Sequence, residues 1–209
     1  VHDHKIGVHS DNVTTPKGPV IGLYSVNNKN PDTKTLIKAY LTYYEKFDAL
    51  PVYQQKAETL LKEVNDYELR IHLYYQRQQW DKIIKLADGF EFADDITGHT
   101  CFRLGKAYAE SNSVDYAVNW LELAVLKEPS EFAFKSELGS QLIKKRDYKT
   151  AETVLLEAMK QYDNYVPVYN NLGYLYIILG QYSKAKSTLL TALKLDPDNV
   201  LGKENLVLL

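Results

Sequence analysis

The chain has 209 residues, 45% hydrophobic and 25% charged, with 25 Lys and Arg against 27 Asp and Glu and a formal net charge of −2. That composition excludes a chain too polar to collapse, and the missing basic excess argues against nucleic acid as the main partner, because phosphate neutralisation needs clustered cations. One cysteine, Cys101, excludes an intrachain disulfide, and no apolar run approaches the roughly 20 residues of a membrane-spanning helix.

Residues 1–31 read as an extended, non-helical arm or linker. Pro16, Gly18, Pro19, Gly22 and the run Asn27 to Pro31 oppose helix, whereas Val20 to Tyr24 suits a short strand. The chain begins Val1-His2-Asp3, and its sole methionine is Met159, so it reads as a processed or excised piece with a signal or anchor possible upstream. His2, His4 and His9 are the candidate metal ligands. Imidazoles one residue apart in an extended arm share a face and can bind Zn²⁺, Cu²⁺ or haem iron, although a closed site needs more ligands. The plainer expectation is solvated histidines in a terminus. Residues 32–63 form a first helix pair, from Asp32-Thr33 to about Phe47 and from Pro51 to about Val64, with the connection Asp48 to Pro51 breaking the later register.

From there a period of 34 takes over. Leu104-Gly105, Leu138-Gly139 and Leu172-Gly173 recur at that spacing, as do Ala117, Ala151 and Ala185, and then Ala124, Ala158 and Ala192. The repeats are 98–131, 132–165 and 166–199, preceded by a degenerate unit over 64–97 with Tyr67, Tyr74 and Trp80 in phase but Arg70-Ile71 where Leu-Gly is expected. Tyr169-x-x-Leu172-Gly173-x-x-Tyr176 followed by Ala185, Leu189, Ala192 and Pro197 resembles the tetratricopeptide repeat. The resemblance implies an all-α, right-handed superhelical solenoid of antiparallel helix pairs over 32–199 with a concave inner face. Physically, Gly173, Ala185 and Ala192 allow close helix approach, while Leu172, Tyr176 and Leu189 fill the space between. Asp196-Pro197 ends a helix, Asp198-Asn199 can cap the next, and 200–209 is a capping or truncated helix.

Nothing in the chain points to catalysis. There is no GxSxG, HExxH, P-loop or GxGxxG pattern, and Cys101 sits at a repeat packing position, where a small buried thiol is expected. A non-enzymatic scaffold is the first expectation, binding a peptide, a partner helix or another domain of its own chain. By the resemblance, ligands lie along the first helix of each pair. That face presents His99, Phe102, Arg103, Lys106 and Glu110, then Ser136, Glu137, Ser140 and Lys144, then Asn170, Asn171, Tyr174 and Ile177. Arg103 and Lys106 suit a carboxylate, Asn170 and Asn171 a peptide backbone, and Phe102 and Tyr174 rigid apolar contact. Chaperone-binding relatives use a carboxylate clamp of Lys and Asn, then Asn, then Lys and Arg. Phe102 and Lys106, Glu137, and Pro167 and Asn171 stand at those positions, and Glu137 repels the tail carboxylate that the clamp would hold.

A second expectation belongs to another class. Asp3 to His9 ahead of helical repeats is similar to the end of the haem-binding region in bacterial multihaem cytochrome c proteins with C-terminal tetratricopeptide repeats. That similarity implies an accessory module of a periplasmic or cell-envelope redox protein, whose arm histidines meet haem or metal. The chain itself has no CxxCH motif, so no cofactor is expected outside the arm or an upstream domain. Homo-oligomerisation through Val200 to Leu209 is a third expectation.

Overall fold

In a computed structural model, the structure describes residues 7–9, 22–24, 32–47, 51–87 and 96–209. The chain divides into two compact units, Val1–Gln79 and Trp80–Leu209.

In the first unit, β1 (Gly7–His9) pairs antiparallel with β2 (Gly22–Tyr24), Val8 opposite Leu23. The strand expected in the arm is thus present at 22–24. His9 contributes backbone to β1, whereas His2 and His4 lie outside the described residues. Helix α1 (Thr33–Phe47) starts where Asp32 caps it: Thr35 N–H donates to Asp32 Oδ1 at 3.0 Å and Thr35 Oγ1 to Oδ2 at 2.7 Å. Helix α2 (Pro51–Leu61) opens on proline, whose missing N–H is harmless in a first turn. Helix α3 (Tyr67–Gln76) is capped by Asp66, which accepts from Leu69 N–H at 3.1 Å and meets Lys34 Nζ at 2.9 Å. Burial pushes the Asp66 carboxyl up, but Lys34 and the Leu69 N–H outweigh it and hold the pKa below the ordinary value. Ile37, Leu41, Ala57, Leu61, Leu69 and Leu73 form this unit's core, and Gln76 Nε2 donates to the Leu41 carbonyl at 2.7 Å, tying α3 to α1.

The second unit carries α4 (Trp80–Ala87), α5 (Gly98–Glu110), α6 (Val114–Lys127), α7 (Phe132–Lys145), α8 (Tyr148–Gln161), α9 (Val166–Ile178), α10 (Tyr182–Leu195) and α11 (Val200–Val207). Helices α5, α7, α9 and α11 start at 98, 132, 166 and 200, and α6, α8 and α10 at 114, 148 and 182, so the period of the sequence is the period of the structure. The pairs α5–α6, α7–α8 and α9–α10 turn in the same way, and α3 ends on the same backbone. The residues at 78, 112, 146 and 180 all have left-handed backbones, with φ of 54° at Gln78, 57° at Asn112, 66° at Arg146 and 69° at Gly180. In each case the next N–H reaches back into the helix, as in Ser113 to the Tyr108 carbonyl at 2.9 Å and Gln181 to that of Tyr176 at 2.8 Å.

The pairs α5–α6, α7–α8 and α9–α10 touch at glycine. A Cβ added to Gly105 would lie 2.6 Å from Leu121 Cγ, and Gly139 and Gly173 stand against Leu155 and Leu189 in the same way. Ala117, Ala151, Ala185, Ala124, Ala158 and Ala192 are all fully buried beside them. Burying each leucine of this seam is worth about 1.5–3 kcal/mol, and because the apolar stripe of one pair needs the next pair to cover it, the core runs along the array. Tyr169 and Tyr176 are buried within it, and Tyr169 Oη donates to the Asp163 carbonyl. Tyr182, which opens α10, is by contrast 58% exposed. Asn199 caps α11, accepting from Gly202 N–H at 2.6 Å, so residues 200–207 are the expected terminal helix.

Candidate functional site

The face built by α5, α7 and α9 is held in register by side chains that cross between first helices. Lys106 Nζ on α5 lies 3.2 Å from Glu137 Oε2 on α7 and 3.5 Å from Glu110 Oε1 one turn along its own helix. Glu137 also accepts from Gln141 Nε2 at 2.9 Å. On the other side of α7, Asn171 Nδ2 donates to the Ser136 carbonyl at 3.1 Å and contacts Ser136 Oγ at 3.3 Å. Lys106 is therefore already neutralised twice, and Asn171 is already bonded. Glu137 is restrained between a cation and an amide, which fixes its negative charge near the middle of the face.

The apolar members divide into two groups. Phe102 is half-buried, its ring stacked on buried Phe134 at 4.7 Å and 18°, and His99 meets the same ring edge-on at 5.1 Å. At the far end Tyr174 is 43% exposed, with Ile178 and Leu179 exposed beside it and Ile177 half-buried against the core. Arg103 and Ser140 are half-buried, and Lys144 is exposed in the last turn of α7. The neighbouring Lys145 pairs with Asp115 at 2.9 Å, and that partner raises the pKa of the lysine.

Asn170 departs from expectation. It is only 3% exposed, and its Nδ2 donates to Asn199 Oδ1 at 2.9 Å, the same oxygen that caps α11. Its position turns it toward the following helix, so it fastens the end of the array and its amide is not offered to a peptide. His99 is also engaged within the chain, with Nε2 3.3 Å from Glu128 Oε2.

Two buried polar residues of α7 escaped the sequence reading, Gln141 beside Glu137 of this face and Lys135 turned toward α8. Gln141 is 2% exposed and occupies the phase of Ala107 and Leu175, while Lys135, 7% exposed, stands at the phase of Cys101 and Tyr169 and donates to Gln161 Oε1 at 3.1 Å. The available signal was a polar residue at an otherwise apolar repeat position. No described helix is long and apolar enough to cross a membrane.

Comparison with known proteins agrees with this geometry. A family profile described as tetratricopeptide repeat matches residues 166–199. The mouse (Mus musculus) protein sperm-associated antigen 1 is 32% identical over 100 residues, which cover 48% of this chain and 11% of that protein, so the match spans about a tenth of its length. Among solved structures, YrrB, described as a TPR protein with an unusual peptide-binding site, superposes with a TM-score of 0.63 at 17% identity, covering 83% of this chain and 91% of that one. MamA superposes with a TM-score of 0.59 at 20% identity, covering 68% and 82%. The first repeat domain of Spaghetti (RPAP3), bound to the HSP90 peptide SRMEEVD, gives 0.51 at 18% identity over 53% and 88%. With the 34-residue helix phase and the repeated glycine–leucine contacts, residues 166–199 are a tetratricopeptide repeat by profile, and the fold is that of tetratricopeptide-repeat solenoids.

Proposed function

We propose that this chain is an interaction scaffold rather than a catalyst, and that it holds a peptide or partner helix along the face of α5, α7 and α9. The observation that carries this reading is the exposure of Tyr174 and Ile178 next to Ile177 on a face where Lys106, Glu110 and Glu137 already satisfy one another. A large aromatic ring left in water on a rigid helix supplies contact area at low rotamer cost, the usual character of an anchor residue. Binding energy on this face then comes from apolar contacts at Phe102 and at Tyr174 to Ile178, with Ser140, Lys144 and Arg103 supplying polar contacts around them. An acidic C-terminal tail is a poor occupant. Lys106 is engaged by Glu137 and Glu110, and a further carboxylate would meet the charge of Glu137. The peptide complexes of proteins with this fold support the class of partner, and the departure from a clamp separates this face from theirs.

The test is selection of peptides on the intact chain from a random library, followed by affinity measurement on a Phe102→Ala/Tyr174→Ala variant. Loss of about 2 kcal/mol, roughly 30-fold, is expected from removing two anchors. Lys106→Ala should alter affinity little. Unchanged binding by the double variant would place the ligand elsewhere.

A further inference from the structure

Where α5 begins, a residue set departs from the repeat pattern at four positions at once. His99, Glu128 and Glu131 have ligand atoms that all lie within 4.8 Å of one another. At the same phases the next repeat carries Ala133, Tyr162 and Tyr165, and the last carries Pro167, Asp196 and Asn199, so no other unit repeats the set. The fourth departure is Gly98, where the other units have Phe132, Val166 and Val200. That glycine leaves a cradle. A Cβ at 98 would lie 2.7 Å from Glu128 Oε1 and 2.9 Å from its Cδ and Cγ, so any larger residue would displace the carboxylate from its place over the helix start.

The geometry points to a divalent transition-metal site, best suited to Zn²⁺, formed by His99 Nε2, Glu128 and Glu131. Two ligands around tetrahedral zinc, each about 2.1 Å from the ion, sit about 3.4 Å apart. His99 Nε2 and Glu128 Oε2 are already 3.3 Å apart. The other oxygen of Glu128 accepts from the His99 backbone N–H at 3.2 Å, which holds the carboxylate plane in place. The ring of Phe134, edge-on at 5.1 Å, limits rotation of the imidazole. Glu131 precedes α7 without using its side chain to cap that helix, so its carboxylate stays available to close the remaining distance by rotation. Neutral imidazole with two carboxylates offers two negative charges to a doubly charged ion, and the mixed nitrogen and oxygen set suits Zn²⁺ better than the all-oxygen preference of Ca²⁺ or Mg²⁺. His99 is exposed and the two glutamates are half-buried, so the ion would be reachable from solvent, with a fourth position for water. Bound there, it would fasten the start of α5 to the turn between α6 and α7.

Zinc titration by calorimetry, on the full chain carrying His2→Ala/His4→Ala/His9→Ala, separates this site from the arm histidines. One Zn²⁺ per chain is expected, with a melting temperature that rises with zinc concentration. His99→Ala and Glu131→Gln should each weaken uptake about 10- to 100-fold while leaving the zinc-free circular dichroism spectrum unchanged, and Gly98→Ala should weaken it by displacing Glu128. Absence of uptake on the arm-histidine background would overturn the site. Uptake indifferent to both His99→Ala and Glu131→Gln would do so as well, since the ion would then sit elsewhere.

Discussion

Gly139→Ala would set a methyl group against the branch of Leu155. The new Cβ falls on Leu155 Cγ and Cδ2, and even Cδ1, the farthest of the three, lies only 3.1 Å away, where ordinary contact starts near 3.4 Å. Leu155 is fully buried, so turning its χ1 away would drive Cγ into packed neighbours, and the two helices must instead separate by about 1 Å to restore normal contact. Two effects oppose each other. Alanine for glycine inside a helix gains about 1 kcal/mol of intrinsic propensity, whereas overpacking a tight seam costs about 1–3 kcal/mol and more where backbone must move. The expected net effect is a loss of about 1–2 kcal/mol. Leu155 is fully buried, so Leu155→Ala alone should lose about 2–5 kcal/mol. In the double variant the added methyl occupies space that the leucine vacates, so the combined loss should fall short of the sum by about 1–2 kcal/mol. Urea unfolding followed by far-ultraviolet circular dichroism gives the four corners of the cycle. Hydrogen exchange of α7 and α8 amides reports the local opening expected of a repeat. A neutral or more stable Gly139→Ala protein, or strictly additive losses, would refute the idea that glycine sets the distance between paired helices.

Other outcomes follow from single positions. Arg146 holds a left-handed backbone at φ 66°, at the phase where Gly180 has φ 69° and open space around it. Relief of about 1–2 kcal/mol of backbone strain, less about 0.4–1 kcal/mol of unfolded-chain entropy, predicts that Arg146→Gly stabilises by about 0.5–1 kcal/mol in thermal unfolding, and Asn112→Gly by less. Burial, together with a hydrogen bond to Glu152, pushes the Tyr176 hydroxyl up to about 12. The neutral phenol is the form favoured by folding, so its contribution is complete below about pH 10 and disappears as pH rises toward 12. Tyr176→Phe should remove that alkaline slope of stability and one late-titrating tyrosinate from the absorbance titration. An unchanged alkaline titration would contradict the burial.

Much of the architecture was legible because repeat packing is local and recurs. A Leu-Gly dipeptide facing a leucine of the partner helix, and alanines that permit close approach, return every 34 residues, so residue type alone reports position. Asp32 and Pro51 mark helix starts through chemistry confined to one turn, and the sequence reading ends α1 where the structure does. The face of the first helices was legible in outline for the same reason.

The sequence by itself therefore determined the period, the helix pairs and the residues that seal each pair. Only the tertiary structure decided which polar residues are spoken for. Lys106 finds Glu137 31 residues away, the backbone of His99 finds Glu128 29 away, and Asn170 is drawn inward by Asn199 at the same separation of 29. A repeat pattern specifies where a side chain leaves the helix. It does not specify which charge or amide the neighbouring turn brings within 3 to 4 Å, because those partners depart from the repeat and their energies depend on distance and burial.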